Sequence, residues 1–358
     1  MPKTIIPFGP QHPVLPEPIH LTLTVEDETI TEVVPALGFV HRGLEKLVGI
    51  RDMHQMVQVV ERVCGICSMI HAMCYSQGIE EMLGLEVPRR ARFLRVIWSE
   101  LHRIHSHLLW LGLFADSFGF ESLFMQLWKV REKILDINEA TAGNRIIVSV
   151  NVIGGVRKDL VPDQIKWIES GLIGVEKELK ALENTLLRDY TIKKRTVGKG
   201  TISKSQAYEL GVVGPTARAS GLAQDMRQQR YAAFNELDFE PVVETDGDCY
   251  ARLKVRLREI YQSIDLIRQA VSKIPQGELS VKATGKPEGE NVSRVEQPRG
   301  ELLYYFKGKG EKYLDRLRIR TPTFANIPAL LHMLPGMSLS DVPMIVLSID
   351  PCISCTER

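Results

Sequence analysis

Two Cys-x-x-Cys pairs carry the most distinctive chemistry of this sequence. The first pair is Cys64 and Cys67, and the second is Cys352 and Cys355, which ends three residues before the last residue of the sequence. Two residues between thiols allow one turn to direct both sulfurs at a single metal ion, and thiolates favour zinc, copper(I), nickel or iron–sulfur chemistry. We therefore expect the last residues of the chain to fold inward and to complete one site with the first pair.

The spacing of the two pairs by itself leaves several kinds of site open. In a structural four-cysteine zinc site the pairs usually lie within a few tens of residues, whereas almost the whole chain separates these two. A four-cysteine iron–sulfur cluster fits the same thiols, and a redox disulfide within either pair is also compatible with the spacing. The other two cysteines, Cys74 and Cys249, have no such partner, and we expect them to be buried thiols.

The composition narrows the classes of function. The chain has 358 residues, of which 44% are hydrophobic and 25% charged, so it can bury a large core. Its 45 Lys and Arg residues balance 44 Asp and Glu residues, which predicts no general attraction to nucleic acid or to anionic membranes. Residues 1–7 lack the basic start and apolar run of a secretory signal, which favours metal or redox chemistry over structural disulfides. The most apolar stretch, residues 107–128, is interrupted by Asp116 and Glu121 and is not expected to span a membrane.

The spacing of apolar residues predicts a mainly α fold with some β structure (α+β). Alternating positions within residues 1–36 predict a small antiparallel sheet, and residues 296–320 predict a hairpin after an exposed connection at 275–289. The helical spacing predicts a central bundle of long helices within residues 57–83, 91–114, 126–142, 162–190, 222–235 and 250–274.

No clear linker divides the chain, so we predict one domain over residues 1–358. Within it, residues 1–45 form a small α/β part, and residues 46–358 form a mainly helical core with a metal-binding C-terminal tail. Both termini are expected to converge on the metal site, because the second cysteine pair lies almost at the end of the sequence.

The residues around the cysteines resemble those of one enzyme family. Residues 62–71, Arg-Val-Cys-Gly-Ile-Cys-Ser-Met-Ile-His, and residues 350–355, Asp-Pro-Cys-Ile-Ser-Cys, are similar to the motifs of nickel–iron hydrogenase large subunits. Residues 8–13, 38–46 and 214–221 are similar to motifs shared with respiratory complex I. Over essentially its full length the chain resembles the large, catalytic subunit of membrane-bound, energy-converting (Ech-type) nickel–iron hydrogenases, which is related to the quinone-site subunit of complex I.

This resemblance implies a role for each of the four cysteines. Four thiolates would hold nickel, with Cys64 and Cys352 as terminal ligands, while Cys67 and Cys355 would also bridge to iron. Only the resemblance implies the carbon monoxide and cyanide ligands of that iron. Heterolytic splitting of dihydrogen needs a Lewis-acidic metal pair and a nearby base, and the thiolate of Cys352 is the expected first base.

The resemblance also implies catalytic roles for charged residues. Glu17 would relay the proton from the thiolate, although a glutamate in a proline-rich loop is more often simply exposed. Arg299 would overhang the metal pair, and Asp350 could pair with it. Asp116 lies where the family has an aspartate that supports the metal ligands. The alternatives are a turn arginine for Arg299, and helix capping or turn formation for the two aspartates.

Several histidines lie near the first cysteine pair. His71 follows Cys67 by four residues, so on a helix it would face the bridging sulfur and could donate a hydrogen bond to it; the alternative is a core histidine. His102 and His105 share one helical face while His107 points elsewhere, so we expect these three to be structural.

The chain departs from the family pattern at its last residue. Many hydrogenase large subunits have a histidine there, which helps to bind a separate metal ion together with a glutamate. Here the last residue is Arg358, and the matching glutamate is Glu45. A guanidinium cannot coordinate a cation but can pair with a carboxylate, so we predict that a Glu45–Arg358 ion pair replaces that metal.

Together these features predict the catalytic subunit of a nickel–iron hydrogenase that interconverts dihydrogen with protons and electrons. The expected partners are an iron–sulfur small subunit, a ferredoxin-type electron carrier reached through partner subunits, and integral membrane subunits that translocate ions, with no nucleic acid. The expected location is the cytoplasmic side of the cell membrane. Two other functions stay open: a complex I-like quinone-site subunit that uses His41 without nickel, and a zinc-stapled scaffold subunit.

Overall fold

The computed structural model describes residues 3–358, and its N-terminal part is a three-stranded antiparallel sheet. The strands follow chain order as β1 (Thr4–Phe8), β2 (His20–Glu26) and β3 (Thr29–Ala36). Along β2, Leu21, Leu23 and Val25 are buried and the residues between them are not, so one face of the sheet packs on the core. This confirms the predicted N-terminal sheet, apart from residues 1 and 2, which lie outside the described residues.

Most of the described chain is helical. The α-helices are α1 (Met53–Glu61), α2 (Ser68–Leu83), α3 (Arg89–Asp116), α4 (Glu121–Ala142), α5 (Pro162–Arg188), α6 (Tyr190–Thr196), α7 (Lys204–Glu209), α8 (Gly214–Arg218), α9 (Cys249–Lys273), α10 (Pro322–Met333), α11 (Val342–Ser348) and α12 (Ile353–Glu357). The 28-residue helix α3 packs against α4 and α9, and α4 packs against α5. These long helices form the predicted central bundle. None of the helices within residues 3–358 is long and apolar enough to cross a membrane.

The predicted helix over residues 222–235 is wrong. This segment contains two short 3-10 turns, Met226–Gln229 and Phe234–Glu236, joined by irregular backbone. The carboxylate of Asp225 accepts a hydrogen bond from the amide of Arg227 and pairs with the buried guanidinium groups of Arg227 and Arg218, at 2.8 and 3.2 Å. Such local side-chain to backbone bonds compete with helix formation, and the amide of Met226 donates to the buried carboxylate of Glu296, 70 residues further along the sequence, at 2.9 Å.

The C-terminal sheet is larger than the predicted hairpin. Its antiparallel strands are β6 (Glu288–Gln297), β7 (Gly300–Lys309) and β8 (Leu314–Arg320), and a smaller two-stranded sheet precedes it with β4 (Asn151–Val152) and β5 (Gly155–Val156). Strands β7 and β8 are the predicted hairpin. Strand β6 was not predicted, because only its last residues are consistently buried and the rest of it is polar. The fold is therefore mainly α with small sheets, as predicted, whereas the division at residue 45 and the position of the N-terminal end stay predictions.

Helix α2 crosses the C-terminal sheet with almost no space between them. A Cβ atom added at Gly78 would lie 2.3 Å from Cε2 of Phe306, a fully buried ring on β7. This close approach holds the second half of α2 against β7, and His71, near the start of α2 after the first cysteine pair, also contacts Tyr304 on β7.

We expect Gly78→Ala to lower the free energy of unfolding by about 1–3 kcal/mol, because an extra methyl group forces the packed Phe306 ring to move. Chemical denaturation measures this change. Gly174→Ala is the matched control, since a Cβ there meets the flexible side chain of Lys133 no closer than 3.6 Å and alanine should stabilise the helix by about 0.5–1 kcal/mol. Equal stability of Gly78→Ala and the unmodified chain would contradict the tight packing.

Candidate metal centre

The structure brings the four predicted cysteines together in one buried cluster. Cys64 lies in the loop after α1, Cys67 immediately precedes α2, Cys352 immediately precedes α12, and Cys355 lies within α12. The Sγ atoms of Cys64 and Cys352 are 3.4 Å apart, and those of Cys67 and Cys355 are 3.6 Å apart. Each contact thus joins residues that are 288 positions apart in the sequence.

The distances between the sulfurs suit metal ligands better than disulfides. A disulfide bond has an S–S distance of about 2.05 Å, whereas thiolates bound tetrahedrally at about 2.3 Å from one ion lie about 3.8 Å apart. The sulfurs of Cys64, Cys67 and Cys355 all lie within 4.8 Å of one another, and that of Cys352 adjoins Cys64. All four cysteines are free and buried, so the cluster can close around a metal without large movement.

The thiols also need a cation if all four are to ionise. Hydrogen bonds from Cys352, Cys355 and Cys67 hold the pKa of the Cys64 thiol well below its ordinary value. Burial raises the pKa of Cys67 and of Cys355 well above the ordinary value; Cys64 adds to this effect at both thiols, and Cys352 adds to it at Cys355. One thiolate therefore forms easily and further ones are opposed by burial and like charge, which a bound metal cation would reverse.

Arg299 and Asp350 form a buried ion pair beside the cysteines. Nη2 of Arg299 lies 2.9 Å from Oδ1 of Asp350, and its Nε donates to the Asp350 carbonyl at 2.9 Å. Burial alone would lower the pKa of Arg299. The negative charges of Asp350 and of the Cys352 and Cys64 thiolates outweigh this effect and hold the pKa well above its ordinary value. The buried Nη1 of Arg299 has no hydrogen-bond partner among the described residues. A fixed cation with one free donor N–H is thus held at the site, as predicted for this pair.

Glu17 contacts the backbone that carries the second cysteine pair. Its carboxylate accepts hydrogen bonds from the amide of Ser354 at 3.0 Å, from the amide of Ile353, and from the Ser354 hydroxyl. The side chain is partly buried and lies next to Cys352 in the lining of one cavity. The proline-rich loop therefore does not leave this glutamate on the open surface, and the carboxylate also caps the first turn of α12.

His71 reaches the cluster, but at a different sulfur from the one predicted. Its Nε2 lies 3.5 Å from Sγ of Cys355, not Cys67, and its Nδ1 lies 2.7 Å from the hydroxyl of Tyr304. Cys67 precedes the first residue of α2, so its sulfur is not on the helical face from which His71 projects. Burial lowers the pKa of His71 to about 4, so a neutral ring can donate from Nε2 to the sulfur and accept from Tyr304. The sequence did not reveal Tyr304 as part of the site, because only the packing of β7 against α2 brings its hydroxyl to His71.

The structure does not bring Asp116 to the cysteines. It is exposed, as the last residue of α3. The residues of α3 that contact the first cysteine loop are His102 and His105, whose rings lie 3.3 and 3.1 Å from the carbonyl oxygen of Ile66. With a rise of about 1.5 Å per residue, Asp116 lies roughly 16 Å further along the helix axis than His105. His107 points away, toward Glu259 at 2.8 Å, as the helical spacing predicted.

An apolar cavity of ≈ 250 Å³ adjoins the cluster. Its lining includes Glu17, Leu109, Leu113, Trp128, Arg299 and Cys352. Most of this wall is hydrocarbon or aromatic, and the polar groups of Glu17 and Arg299 lie at the Cys352 side. The cavity can therefore admit a small apolar molecule to a place where a thiol, a carboxylate and a guanidinium meet.

The last residues of the chain are held in place by residues 40–45. Nε of Arg358 lies 2.9 Å from Oε1 of Glu45, so the predicted ion pair is present. The amide of Val40 donates to the Glu357 carboxylate at 2.5 Å, and Nδ1 of His41 lies 2.6 Å from the Glu357 carbonyl oxygen. These contacts close the C-terminal segment over the cysteines, and His41 is part of that closure.

We expect Arg358→Ala to weaken this closure by about 1–2 kcal/mol, because the pair is only partly exposed and includes a charge-assisted hydrogen bond. Burial alone would raise the pKa of Glu45, but hydrogen bonds from the Ile319 amide, Arg318 and Arg358 outweigh it and hold the pKa below 4.5. The stabilisation is therefore full above pH 4.5 and is lost as the pH falls through the lowered pKa of Glu45.

Limited proteolysis of the C-terminal segment, at neutral and acidic pH, measures this closure. Arg316→Ala on the same strand as Arg318 is a control that leaves the Glu45 contacts intact. If Arg358→Ala were cleaved no faster than the unmodified chain at neutral pH, the ion pair would not hold the segment.

Comparison with known proteins agrees with this geometry. The family model of the "Respiratory-chain NADH dehydrogenase, 49 Kd subunit" matches residues 117–286 and 278–358, and that of the "Nickel-dependent hydrogenase" matches residues 42–113. The carbon monoxide-induced hydrogenase of Rhodospirillum rubrum is 41% identical over 356 residues, which cover 99% of each chain. The chain belongs to the family of hydrogenase large subunits and complex I 49 kDa subunits.

Two more relatives are subunits of differently named enzymes. The membrane-bound hydrogenase subunit alpha of Pyrococcus furiosus is 38% identical over 373 residues, covering 99% of this chain and 87% of the relative. A subunit of the F(420)H(2) dehydrogenase of Methanosarcina mazei is 36% identical over 367 residues, covering 99% of this chain and 98% of the relative. The predicted resemblance to membrane-bound hydrogenase large subunits and their complex I relatives is thus confirmed.

Proposed function

We propose that this protein is the catalytic subunit of a membrane-associated nickel–iron hydrogenase. The observation that carries the proposal is the closed cluster of four cysteine sulfurs, with Arg299 and Glu17 beside it at the end of an apolar cavity. Cys64, Cys67, Cys352 and Cys355 would hold nickel, and Cys67 and Cys355 would also hold iron, whose further ligands would be carbon monoxide and cyanide. When bound, this metal pair supplies the Lewis acidity and redox chemistry for splitting dihydrogen.

The residues of the chain then have distinct tasks. The apolar cavity admits dihydrogen and excludes most water from the cysteines. Arg299 is fixed by Asp350 and places a positive charge with a free N–H beside the cysteines. This charge polarises the dihydrogen that enters the cavity. His71, held by Tyr304, orients the sulfur of Cys355.

The proton leaves by way of Cys352 and Glu17. Sγ of Cys352 accepts the proton, and the Glu17 carboxylate, which lines the same cavity, takes it from the sulfur. Glu17 is only partly buried, so it can pass the proton on toward solvent. In the reverse direction the same two groups deliver protons for dihydrogen formation.

The electrons require partner subunits. Four of the six cysteines belong to the cluster and the other two, Cys74 and Cys249, are single buried thiols, so this chain has no cysteines left for an iron–sulfur cluster of its own. We propose an iron–sulfur small subunit that passes electrons to a ferredoxin-type carrier, and integral membrane subunits that translocate ions. In such a complex the chain would be peripheral, on the cytoplasmic side of the membrane.

Elemental analysis of the complex, purified without oxygen, tests the proposed function. We expect one nickel per chain, and iron beyond that of the small-subunit clusters, together with dihydrogen evolution from a reduced carrier. Zinc alone would instead favour the scaffold function. Absence of metal in an active complex would favour the quinone-site function, in which the four cysteines have no role.

A further inference from the structure

Two buried histidines of α3 point at one carbonyl group inside the first cysteine pair. Nε2 of His105 lies 3.1 Å from the oxygen of Ile66, and Nδ1 of His102 lies 3.3 Å from the same oxygen. Both rings are fully buried. Because a carbonyl oxygen only accepts hydrogen bonds, each of these ring nitrogens carries the hydrogen. The peptide between Ile66 and Cys67 is thus held from the α3 side by two donors.

The two histidines differ at their other ring nitrogen. Nδ1 of His105 lies 3.2 Å from Nε of Arg131, on the neighbouring helix α4. An arginine N–H can only donate, so Nδ1 of His105 is the acceptor, and the hydrogen of the ring is fixed on Nε2. Nε2 of His102 is buried without a hydrogen-bond partner among the described residues. Of the two histidines, only His105 therefore connects the Ile66 carbonyl to a cation, whereas Arg42 donates separately to the Val63 carbonyl before Cys64.

We propose that Arg131 and His105 form a positioning pair for the metal ligands Cys64 and Cys67. Arg131 fixes the His105 tautomer, and His105 fixes the Ile66–Cys67 peptide and hence the direction of both sulfurs. The inference rests on the proposal that the four cysteines bind a metal, but not on which metal they bind.

The surroundings of the pair fit this role. The cysteine loop lies between α1 and α2 and has no regular secondary structure of its own, so its peptide planes depend on outside contacts. Burial lowers the pKa of His105 well below its ordinary value, which keeps the ring neutral and able to accept from Arg131. The guanidinium of Arg131 also lies 5.7 Å from the ring of Trp128, which lines the cavity beside Cys352. The positive charge is thus held close to the site by two contacts.

Metal retention tests the pair without relying on hydrogenase activity. The complex, purified without oxygen, is exposed to a competing chelator, and the rate of metal loss per chain is measured. We expect His105→Leu to lose metal at least about tenfold faster than the unmodified complex, as is typical when a group that orients a ligand is removed. His105→Gln should stay within about twofold, because its amide offers a donor to Ile66 and an acceptor to Arg131.

Two further variants separate the pair from simple packing. Arg131→Leu leaves both histidines and the buried core in place, so loss of metal about threefold or more faster would be due to the released tautomer. His102→Leu is the matched control, since it removes a hydrogen bond to the same carbonyl without removing a cation, and we expect it to lose metal more slowly than His105→Leu. Should His105→Leu fail to fold, Arg131→Leu and His105→Gln still test the pair.

Failure of this inference can be told apart from failure of the proposed function. If His102→Leu lost metal as fast as His105→Leu, or if His105→Gln did not rescue retention, the positioning pair would be wrong even in an active hydrogenase. A complex that carries zinc alone would overturn the hydrogenase function. The rates at which the His105, Arg131 and His102 variants lose that zinc would still test whether Arg131 and His105 position the cysteines. A complex with no bound metal would overturn both.

Discussion

Replacement of Cys64 by serine is expected to abolish both metal binding and hydrogenase activity. The sulfur of Cys64 contacts that of Cys352 at 3.4 Å, and hydrogen bonds from Cys352, Cys355 and Cys67 hold the pKa of the Cys64 thiol well below its ordinary value. A serine hydroxyl is a harder and far less acidic donor, so the first thiolate available to the metal is lost. We expect hydrogenase activity to fall by at least about 10³-fold, because removal of a ligand costs more than removal of a group that only orients a ligand. We also expect little nickel to remain per chain.

Cys74→Ser is the matched control for this experiment. Cys74 is as deeply buried as the cluster cysteines, but its thiol donates to the Ser293 carbonyl on β6 at 3.6 Å and is not part of the cluster. A serine can form the same hydrogen bond, so metal content and activity should remain close to those of the unmodified complex. If Cys64→Ser kept its nickel and its turnover, or if Cys74→Ser lost both, the assignment of the metal centre would be wrong.

Replacement of Glu17 by glutamine is expected to stop proton transfer while leaving the metal centre intact. The amide oxygen of glutamine can still accept hydrogen bonds from the amides of Ile353 and Ser354, so α12 and the second cysteine pair should stay in place. A neutral amide cannot take the proton from Sγ of Cys352. We expect turnover to fall by about 10²–10⁴-fold, the usual contribution of a positioned acid–base group, with unchanged nickel per chain.

Ser354→Ala is the control that separates the two roles of Glu17. It removes the hydroxyl hydrogen bond to the carboxylate but leaves the carboxylate itself, so turnover should change by less than about threefold. Dihydrogen evolution and nickel content are measured on both variants. Turnover of Glu17→Gln equal to that of the unmodified complex would rule out the relay, and joint loss of nickel and turnover would mean that Glu17 only caps α12.

The comparison of sequence with structure shows which contacts a linear pattern can predict. The long helices and the N-terminal sheet were predicted because apolar spacing is a local property of the sequence. The Glu45–Arg358 pair was predicted from the one position where the chain departs from the family pattern, since an arginine there cannot bind a metal ion but can pair with a carboxylate. The error over residues 222–235 arose because the amide of Met226 is bound by the distant carboxylate of Glu296, which no local pattern reveals. Strand β6 was missed because it is mostly polar and pairs with β7 along its length.

The site divides in the same way. Residue types and spacing identified the four thiols as candidate metal ligands, whereas Arg299, Asp350 and Glu17 were singled out only because the chain resembles hydrogenase large subunits. The sequence did not reveal that His71 contacts Cys355, that Tyr304 holds its ring, or that Asp116 lies on the surface. Those facts depend on how α2, α3 and β7 pack.

By itself, then, the sequence determined which atoms could bind a metal, and only the tertiary structure decided which groups support them. The four candidate ligands follow from side-chain chemistry, although the two Cys-x-x-Cys pairs by themselves left zinc, iron–sulfur and disulfide sites open. Groups from separate elements lie around the cysteines: Arg131 contacts His105, His105 contacts the Ile66 carbonyl between the first two cysteines, and Tyr304 contacts His71. Their contacts exist only after the helices and the sheet have packed, because the direction of a side chain in space is set by the whole fold and not by its neighbours in the chain.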